Sequence, residues 1–367
     1  MDNRIRVLCV AGARPNFMKI APLLREFNAR ETFETFLVHT GQHYDARMSD
    51  NFFRDLGIPA PDINLGVGSG THGEQTGQVL MKIEAVLQAE RPDLILVVGD
   101  VNSTLAATLA AVKLAIPVAH VEAGLRSGDR AMPEELNRLM TDVVATWLFT
   151  TEPDAEKNLL REGVDPSRIH FVGNVMIDTV LANLERAKKL DTLTRLGLTP
   201  GSFGLLTLHR PSNVDDPKRL GELFSALEEI HRRLPIVFPV HPRTEANIRK
   251  SLGGRDLKLQ LIEPQDYLDF LLMMSEAKLV LTDSGGIQEE TTALGTPCFT
   301  LRDSTERPIT VTHGTNTMVG ADPEVILREV GHALDGNPKT GKIPDLWDGR
   351  AAVRIASVIE RDLRPSS

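Results

Sequence analysis

Short apolar runs alternate with amphipathic segments along the first half of the chain. The apolar runs are rich in branched or large side chains, which is typical of short buried strands. These predicted strands are 5–11, 35–39, 94–99, 118–122 and 148–150. The first half of the chain is therefore expected to contain one sheet.

The segments between these strands have helical periodicity. Between Glu74 and Ala89 the apolar side chains recur at the spacing of a single helical face. Further helices are predicted at 104–114 and from Pro133 to about residue 145. Parallel strands cannot be joined by tight hairpins, so strands separated by helices of ten or more residues indicate a parallel α/β sheet.

The same pattern begins again in the second half of the chain. The strands predicted there are 203–208, 236–240, 257–262, 279–282 and 298–301. The helices predicted there are 217–233, 267–276, 286–294 and 323–334. Two doubly wound, Rossmann-like α/β domains facing each other across a cleft are the expected architecture.

The joint between the two domains is predicted between Gly173 and Pro200. We assign 1–173 to an N-terminal domain and 174–349 to a C-terminal domain. The amphipathic segment 350–367 is expected to pack back on the N-terminal domain.

Composition excludes several classes of protein. The chain has 367 residues, of which 41% are hydrophobic and 25% charged, and a formal net charge of -9, which disfavours a nucleic-acid partner. No apolar stretch approaches the ~20 residues of a membrane span. Cys9 and Cys298 lie in separate apolar runs, which argues against a disulfide framework and predicts a cytoplasmic protein.

Ligands of open α/β sheets bind beyond the carboxyl ends of the strands. After the first strand, Gly12 permits a sharp turn and Pro15 suits the start of a helix. Arg14 and Lys19 place two cations near that helix N-terminus, where backbone amides favour an anion. The alternative is a simple turn with solvated charges.

Carboxylates follow the next strands of the first half. Asp100 ends one strand, Glu122 ends the next, and Glu134 begins the helix opened by Pro133. Glu134 alone is explained by the helix dipole and an ion pair with Arg138 four residues on. Three carboxylates on neighbouring strand ends, however, indicate acid–base chemistry.

The strand ends of the second half carry groups suited to a nucleotide. His209 and Arg210 end one strand, and His241 with Arg243 repeat the arrangement after the next. Ser284, Gly285 and Gly286 then lead from a strand into a helix, so their backbone amides suit a diphosphate. Glu290, about one turn on, suits the two hydroxyls of a ribose; the alternative is a plain glycine turn.

Two other patterns are rejected. Residues 336–342 have the spacing of a phosphate loop, but Ile343 stands where a hydroxyl is needed and the segment follows a helix. His39 and His43 lack a cysteine or acid at ligand spacing, so no metal is predicted.

Five motifs together resemble the non-hydrolysing UDP-N-acetylglucosamine 2-epimerases. They are Gly12-Ala13-Arg14-Pro15 with Lys19, Gly99-Asp100, 120–126, Pro133-Glu134-Glu135 and 283–290. The resemblance implies a glycosyltransferase-B architecture with the active site between two Rossmann-like domains, and a homodimer. It also implies interconversion of UDP-GlcNAc and UDP-ManNAc without an added cofactor, as in polysaccharide biosynthesis.

Roles for the candidate residues follow from the resemblance. Asp100, Glu122 and Glu134 would be the base and acid set for eliminating UDP to a glycal and adding it back. The resemblance places Arg14, Lys19 and His209 at the pyrophosphate, and Ser284 and Glu290 at the phosphate and ribose. The chain departs from many members at Asn16, where they carry glutamate.

Four other functions remain open from the sequence. They are an epimerase of a diacetamido uronic-acid UDP sugar, a hydrolysing 2-epimerase, a glycosyltransferase of the same fold, and a binding module for nucleotide sugars. The last two would not need three clustered carboxylates.

Overall fold

The computed structural model describes residues 4–41, 53–254 and 256–364. At positions 14, 211, 212, 242 and 243 it describes the backbone alone. The chain forms two compact units, the first comprising Met1–Thr179 with Asp345–Ser367 and the second Val180–Pro344.

The first unit contains a parallel sheet of seven strands. They are β1 (Ile5–Ala11), β2 (Phe33–His39), β3 (Ile63–Asn64), β4 (Leu94–Val98), β5 (Val118–Ala123), β6 (Trp147–Thr150) and β7 (Ile169–Phe171). Their order is β3-β2-β1-β4-β5-β6-β7, and every pair is parallel. The order reverses between β1 and β4, which is the switch point at which such sheets bind ligands.

Helices connect these strands, and a further helix follows β7 and leads into the second unit. They are α1 (Arg14–Asn28), α2 (His72–Glu90), α3 (Asn102–Lys113), α4 (Pro133–Val144), α5 (Pro153–Arg161) and α6 (Val175–Ala187). The apolar face predicted between Glu74 and Ala89 is buried, with Val79, Ile83 and Leu87 in one core with strand residues such as Leu8 and Ile95.

The second unit repeats the arrangement with six parallel strands. They are β8 (Gly204–Thr207), β9 (Ile236–Pro239), β10 (Gln260–Ile262), β11 (Leu279–Thr282), β12 (Cys298–Thr300) and β13 (Asn316–Met318). Their order is β10-β9-β8-β11-β12-β13, so the switch point lies between β8 and β11.

The helices of the second unit enclose its core. They are α7 (Thr192–Arg195), α8 (Pro211–Val214), α9 (Pro217–Arg233), α10 (Pro242–Ser251), α11 (Tyr267–Glu276), α12 (Gly285–Leu294), α13 (Pro308–Thr312) and α14 (Pro323–Leu334). Phe224 on α9 and Phe238 on β9 lie in the same core. The predicted doubly wound α/β fold is confirmed for each unit.

The last helix, α15 (Ala351–Leu363), belongs to the first unit. Asp178 on α6 accepts hydrogen bonds from the backbone N–H groups of Ala351 (3.1 Å) and Ala352 (2.8 Å), which fixes the start of α15. Arg30 donates to Glu360 at 2.9 Å. Polar contacts therefore hold the helix to both α6 and the residues that follow α1.

No helix in the described ranges is both long and apolar enough to cross a bilayer. Cys9 and Cys298 are both buried and free.

Candidate active site

At the switch point of the first unit, the turn after β1 is tied to the end of β4. The side chain of Asn16 accepts hydrogen bonds from the backbone N–H groups of Gly12 (3.2 Å) and Ala13 (2.9 Å). Its amide nitrogen donates to the carbonyl of Val98 at 3.1 Å. The residue that departs from the family pattern therefore holds two neighbouring strand ends together.

Glu122 has an unusual backbone at the end of β5. Its φ angle is 71°, in the left-handed region that side-chain-bearing residues rarely adopt, and the pairing of β5 with β6 shifts register between Val121 and Ala123. Such strained bulges occur near functional sites, where they re-aim a side chain. Gly124 has a φ of 80°, and an added Cβ there would lie 2.4 Å from the carbonyl oxygen of Ala155.

One buried network contains two of the three predicted carboxylates. Nη2 of Arg138 lies 2.6 Å from Oδ2 of Asp100 and 3.3 Å from Oε1 of Glu122. The other oxygen of Glu122 forms an ion pair with Lys19 of α1. Two cations thus face two carboxylates at adjacent strand ends; Lys19, Glu122 and Arg138 are buried, and the side chain of Asp100 is 22% exposed.

Arg138 is a site residue that the sequence analysis missed. Its spacing predicted an ion pair with Glu134, but Arg138 is buried and contacts Asp100 and Glu122 instead. Its position on the same helix face as the buried Asp142 and Glu135 was the available signal.

Glu134 stands apart from this network. It is exposed in the first turn of α4 and makes no hydrogen bond or ion pair within the described part of the chain. The next residue, Glu135, is buried and accepts hydrogen bonds from the backbone N–H groups of Ser127 (2.7 Å) and Gly128 (3.2 Å). Glu135 therefore shapes the loop after β5, and Glu134 is left available to a ligand.

At the switch point of the second unit, the buried carboxylate of Asp283 organises the end of β8. It accepts hydrogen bonds from the backbone N–H groups of His209 (3.0 Å) and Arg210 (2.9 Å) and from the side chain of Asn213 (3.2 Å). Nδ1 of His209 lies 2.8 Å from its Oδ1 atom. Burial alone would raise the pKa of Asp283, but these hydrogen bonds and the nearby His209 lower it below its ordinary value.

His209 is held by one ring nitrogen and open at the other side. Since the carboxylate of Asp283 accepts, Nδ1 of His209 carries the proton that it donates. The His209 side chain is 61% exposed, whereas Asp283 is fully buried. The imidazole is therefore oriented with its remaining nitrogen available to a ligand.

The Ser-Gly-Gly segment begins α12, as predicted. Ser284 occupies the N-cap position, but its hydroxyl makes no capping hydrogen bond, which leaves it available. An added Cβ on Gly285 would lie 3.5 Å from Nη1 of Arg307. A helix N-terminus, a hydroxyl and a guanidinium thus lie together, which suits a phosphate group.

Glu290 is buried beside another carboxylate, Glu289. Burial and the adjacent charge of Glu289 raise the pKa of Glu290 to about 8. Its Oε1 atom is buried and has no hydrogen-bond partner in the described residues. A buried oxygen without a partner is costly, so this position is prepared for a donor such as a hydroxyl.

A second group that the sequence analysis missed follows β12. Glu306 is surrounded by Arg302 (3.0 Å), Arg210 (3.7 Å) and Arg307 (3.9 Å). Although burial acts to raise it, the charges of these arginines lower the pKa of Glu306 to about 2. The available signal was the Arg302-to-Arg307 segment after a strand next to β11. Arg302 and Arg307 of this segment, together with Arg210, therefore place three guanidiniums around one carboxylate.

The remaining candidates are less defined. His241 is exposed at the carboxyl end of β9, directly before α10. Arg14 and Arg243 lie at the start of α1 and in α10, and their side chains are outside the described set; His43 lies outside the described residues altogether. Among the described residues, no three His, Cys, Asp or Glu side chains are grouped to hold a metal.

Comparison with known proteins identifies the family of this chain. The family model described as UDP-N-acetylglucosamine 2-epimerase matches residues 25–360. A Methanocaldococcus jannaschii UDP-N-acetylglucosamine 2-epimerase is 42% identical over 97% of this chain and 99% of the relative. A Pseudomonas aeruginosa UDP-2,3-diacetamido-2,3-dideoxy-D-glucuronate 2-epimerase is also 42% identical, over 97% of this chain and 100% of the relative.

A solved structure shares the fold over nearly the whole chain. The crystal structure of M. jannaschii UDP-GlcNAc 2-epimerase in complex with UDP-GlcNAc and UDP superposes with a TM-score of 0.88 at 42% identity, over 97% of this chain and 99% of that one. The resemblance drawn from the five motifs is confirmed. The chain belongs to the UDP-N-acetylglucosamine 2-epimerase family, a family of isomerases with a glycosyltransferase-B-like α/β fold.

Proposed function

We propose that this chain catalyses the reversible epimerisation of UDP-N-acetylglucosamine at C2, which gives UDP-N-acetylmannosamine. The observation that carries the proposal is the arrangement of Asp100 and Glu122 around one buried guanidinium at adjacent strand ends. A nucleotide-sugar binding module or a transferase would have no need of two such carboxylates.

The proposed reaction proceeds by elimination and re-addition. A carboxylate removes the proton from C2 while the bond between C1 and the UDP oxygen breaks, which leaves a glycal with a C1–C2 double bond and free UDP. UDP then adds back to C1, and an acid delivers a proton to the opposite face of C2. Both proton transfers need carboxyl groups placed near the ring, and the departing diphosphate needs cations.

The N-terminal unit would supply the acid–base groups. Asp100 and Glu122 are held by Arg138 and Lys19, so their positions are set before substrate binds. Glu134 is the third member of the set. It is exposed and has no partner among the described residues. This is expected of a group that contacts the sugar only after the substrate binds. Lys19 pairs with Glu122 here, so we assign it to that carboxylate as well as to the pyrophosphate predicted from the resemblance.

The C-terminal unit would bind UDP. The amides of Gly285 and Gly286, the hydroxyl of Ser284 and the side chains of His209 and Arg210 are proposed to contact the diphosphate. Glu290 is proposed to accept both ribose hydroxyls, and His241 to line the nucleotide site. Arg14 would add a cation from the N-terminal unit. None of these roles requires a metal or cofactor.

A second substrate is supported by one specific comparison. The diacetamido-glucuronate epimerase of P. aeruginosa is as similar to this chain as the M. jannaschii enzyme is. The same elimination at C2 applies to that UDP sugar, so the fold and the carboxylates fit both.

Deuterium exchange tests the proposal and separates the substrates. The purified protein is incubated in deuterated water with UDP-GlcNAc or with UDP-2,3-diacetamido-2,3-dideoxy-glucuronate, and products are followed by NMR. We expect deuterium at C2 and a minority of UDP-ManNAc from UDP-GlcNAc. Exchange with the uronate alone would move the assignment to the second sugar, and free ManNAc would indicate a hydrolysing enzyme. Absence of exchange with either sugar would remove the epimerase assignment.

We also propose that the chain works as a homodimer, as the family resemblance implies. Met140, Val143 and Val144 are exposed on α4, an apolar surface of the kind that a second copy covers. Light scattering after size-exclusion chromatography would give the mass directly. A single-chain mass at micromolar concentration would contradict this proposal.

A further inference from the structure

A buried histidine–aspartate pair contacts the backbone beside both proposed acid–base residues. His120 lies on β5 and Asp142 on α4, with side chains 0% and 1% exposed. Nδ1 of His120 is 2.6 Å from Oδ1 of Asp142. Neither residue has a role in the chemistry described above.

Each end of the pair holds one of the two backbone segments that carry the carboxylates. Nε2 of His120 lies 2.9 Å from the carbonyl oxygen of Gly99, the residue before Asp100. Oδ2 of Asp142 accepts a hydrogen bond from the N–H of Gly124 at 3.0 Å, two residues after Glu122. The pair therefore connects the ends of β4 and β5 independently of Arg138.

The segments that it holds are conformationally costly. The φ angles are 68° at Gly99, 71° at Glu122 and 80° at Gly124. A left-handed conformation costs a residue with a side chain about 1–2 kcal/mol, so Glu122 needs contacts that fix its surroundings. The hydrogen bonds to Gly99 and Gly124 are placed to do so.

The hydrogen-bond partners determine the charge of the pair. The carbonyl oxygen of Gly99 can only accept, so Nε2 of His120 must carry a proton. Asp142 also faces Arg126, whose Nη2 is 2.7 Å from Oδ2 and is shared with Glu162. Burial acts to raise the pKa of Asp142, but His120 and Arg126 lower it below its ordinary value. Asp142 is therefore ionised, and Nδ1 of His120 donates as well.

We propose that His120 is a positioning residue, protonated at both ring nitrogens and paired with Asp142, that fixes the backbone carrying Asp100 and Glu122. It contacts no substrate atom and acts through these two carboxylates. The catalytic part of this inference rests on the proposed epimerase function, whereas the charge state of His120 does not.

The first test measures the imidazole in the unmodified protein. The ¹⁵N shifts of labelled histidine report whether each ring nitrogen carries a proton, and ring-to-backbone correlations identify His120. We expect both ring nitrogens of His120 to carry a proton at pH 7. An unprotonated ring nitrogen in His120 at pH 7 would overturn the proposal.

The second test measures the reaction in His120→Gln and Asp142→Asn. A displacement of about 1 Å at a reacting group lowers the rate by about 100-fold, so we expect kcat for C2 exchange to fall about 10- to 100-fold. KM and the affinity for UDP are expected to stay within twofold of the wild-type values, because most of the proposed nucleotide contacts lie in the other unit.

Thr141→Val is the matched control. Thr141 is buried on α4 next to Asp142, and its hydroxyl has no hydrogen-bond partner among the described residues. We expect Thr141→Val to have the kcat of the wild type.

If the pair had a purely structural role, His120→Gln and Asp142→Asn would lower thermal stability but leave the kcat of the folded protein unchanged. That result would contradict the proposal. A wild-type protein that exchanges no deuterium would remove the proposed function, yet the ¹⁵N result would still decide the charge state. If a variant does not fold, the ¹⁵N measurement on the unmodified protein still tests the proposal.

Discussion

Nη2 of Arg138, on α4, lies 2.6 Å from Oδ2 of Asp100, at the end of β4. The same guanidinium lies 3.3 Å from Oε1 of Glu122 at the end of β5. The Nη2 nitrogen carries two N–H donors, so it can serve both carboxylates at once. The contact therefore sets the distance between the two proposed acid–base groups.

Replacing Arg138 is expected to damage both stability and turnover. Arg138→Met leaves the buried Glu122 and the partly exposed Asp100 without this counter-charge, and breaking a buried ion pair costs about 3–5 kcal/mol. Arg138→Lys keeps the charge but not the fork, so we expect better stability than in Arg138→Met with kcat still reduced. Urea unfolding and C2 exchange measure the two effects. Wild-type kcat in Arg138→Met would contradict the bridging role.

The two carboxylates are expected to be essential for exchange but not for nucleotide binding. Asp100→Asn and Glu122→Gln keep the shape of each side chain and remove its acid–base capacity, which typically contributes about 10²- to 10⁴-fold. We expect C2 exchange to be lost while UDP affinity, measured by calorimetry, changes little. Turnover retained in either variant would mean that the acid–base set is misplaced.

Asp283 is expected to control the orientation of His209. In Asp283→Asn the ionised acceptor for Nδ1 is lost, so we expect kcat/KM to fall about 100-fold or more, as when the orienting carboxylate of a catalytic histidine is amidated. Asp303→Asn is a suitable control, because Asp303 belongs to the same unit and is exposed. If both variants had the same kcat/KM, the orienting role would be wrong.

Glu290 is expected to make the ligand-free protein less stable as the pH rises. Its pKa is about 8 when folded and near 4.5 when unfolded, so the folded state binds the extra proton between these values. Stability conferred by this proton is therefore lost progressively as the pH approaches 8. We expect Tm to fall from pH 7 to pH 8 more steeply in the wild type than in Glu290→Gln.

The same pair of proteins gives a second readout. Asp178 does not disturb the Tm comparison, because its pKa, raised to about 6, places its own loss of a proton below pH 7. Glu290→Gln should also bind UDP more weakly, since one ribose acceptor is lost. Parallel Tm profiles over pH 7 to 8 would show that Glu290 is not protonated in the folded protein.

Gly124 is expected to tolerate no side chain. Its φ is 80° and an added Cβ would lie 2.4 Å from the carbonyl oxygen of Ala155, a backbone atom that cannot move cheaply. Gly128 has a similar φ of 74° but nothing within 4 Å. Gly128→Ala should cost about 1–2 kcal/mol from its backbone alone. Gly124→Ala should cost clearly more in urea unfolding, and equal costs would refute the steric argument.

Much of the fold was predictable because its signals are local. The helices at 217–233, 267–276 and 323–334 have the predicted bounds, since each has a dense set of apolar residues and begins directly after an aspartate, Asp216, Asp266 or Asp322. The edge strands β3, β7 and β13 were missed. They have only two or three residues and are partly exposed, so no apolar run marks them.

The sequence by itself determined which residue types follow the strands, and hence that carboxylates and groups suited to a phosphate lie at the carboxyl ends of two sheets. Only the tertiary structure decided which of them meet. The spacing of α4 pairs Arg138 with Glu134, because helical periodicity specifies neighbours on one helix. The strand order β1-β4-β5 instead brings Lys19, Asp100 and Glu122 to one place, and the buried face of α4 turns Arg138 toward them. Sheet order arises from packing between distant segments, so no local pattern carries it.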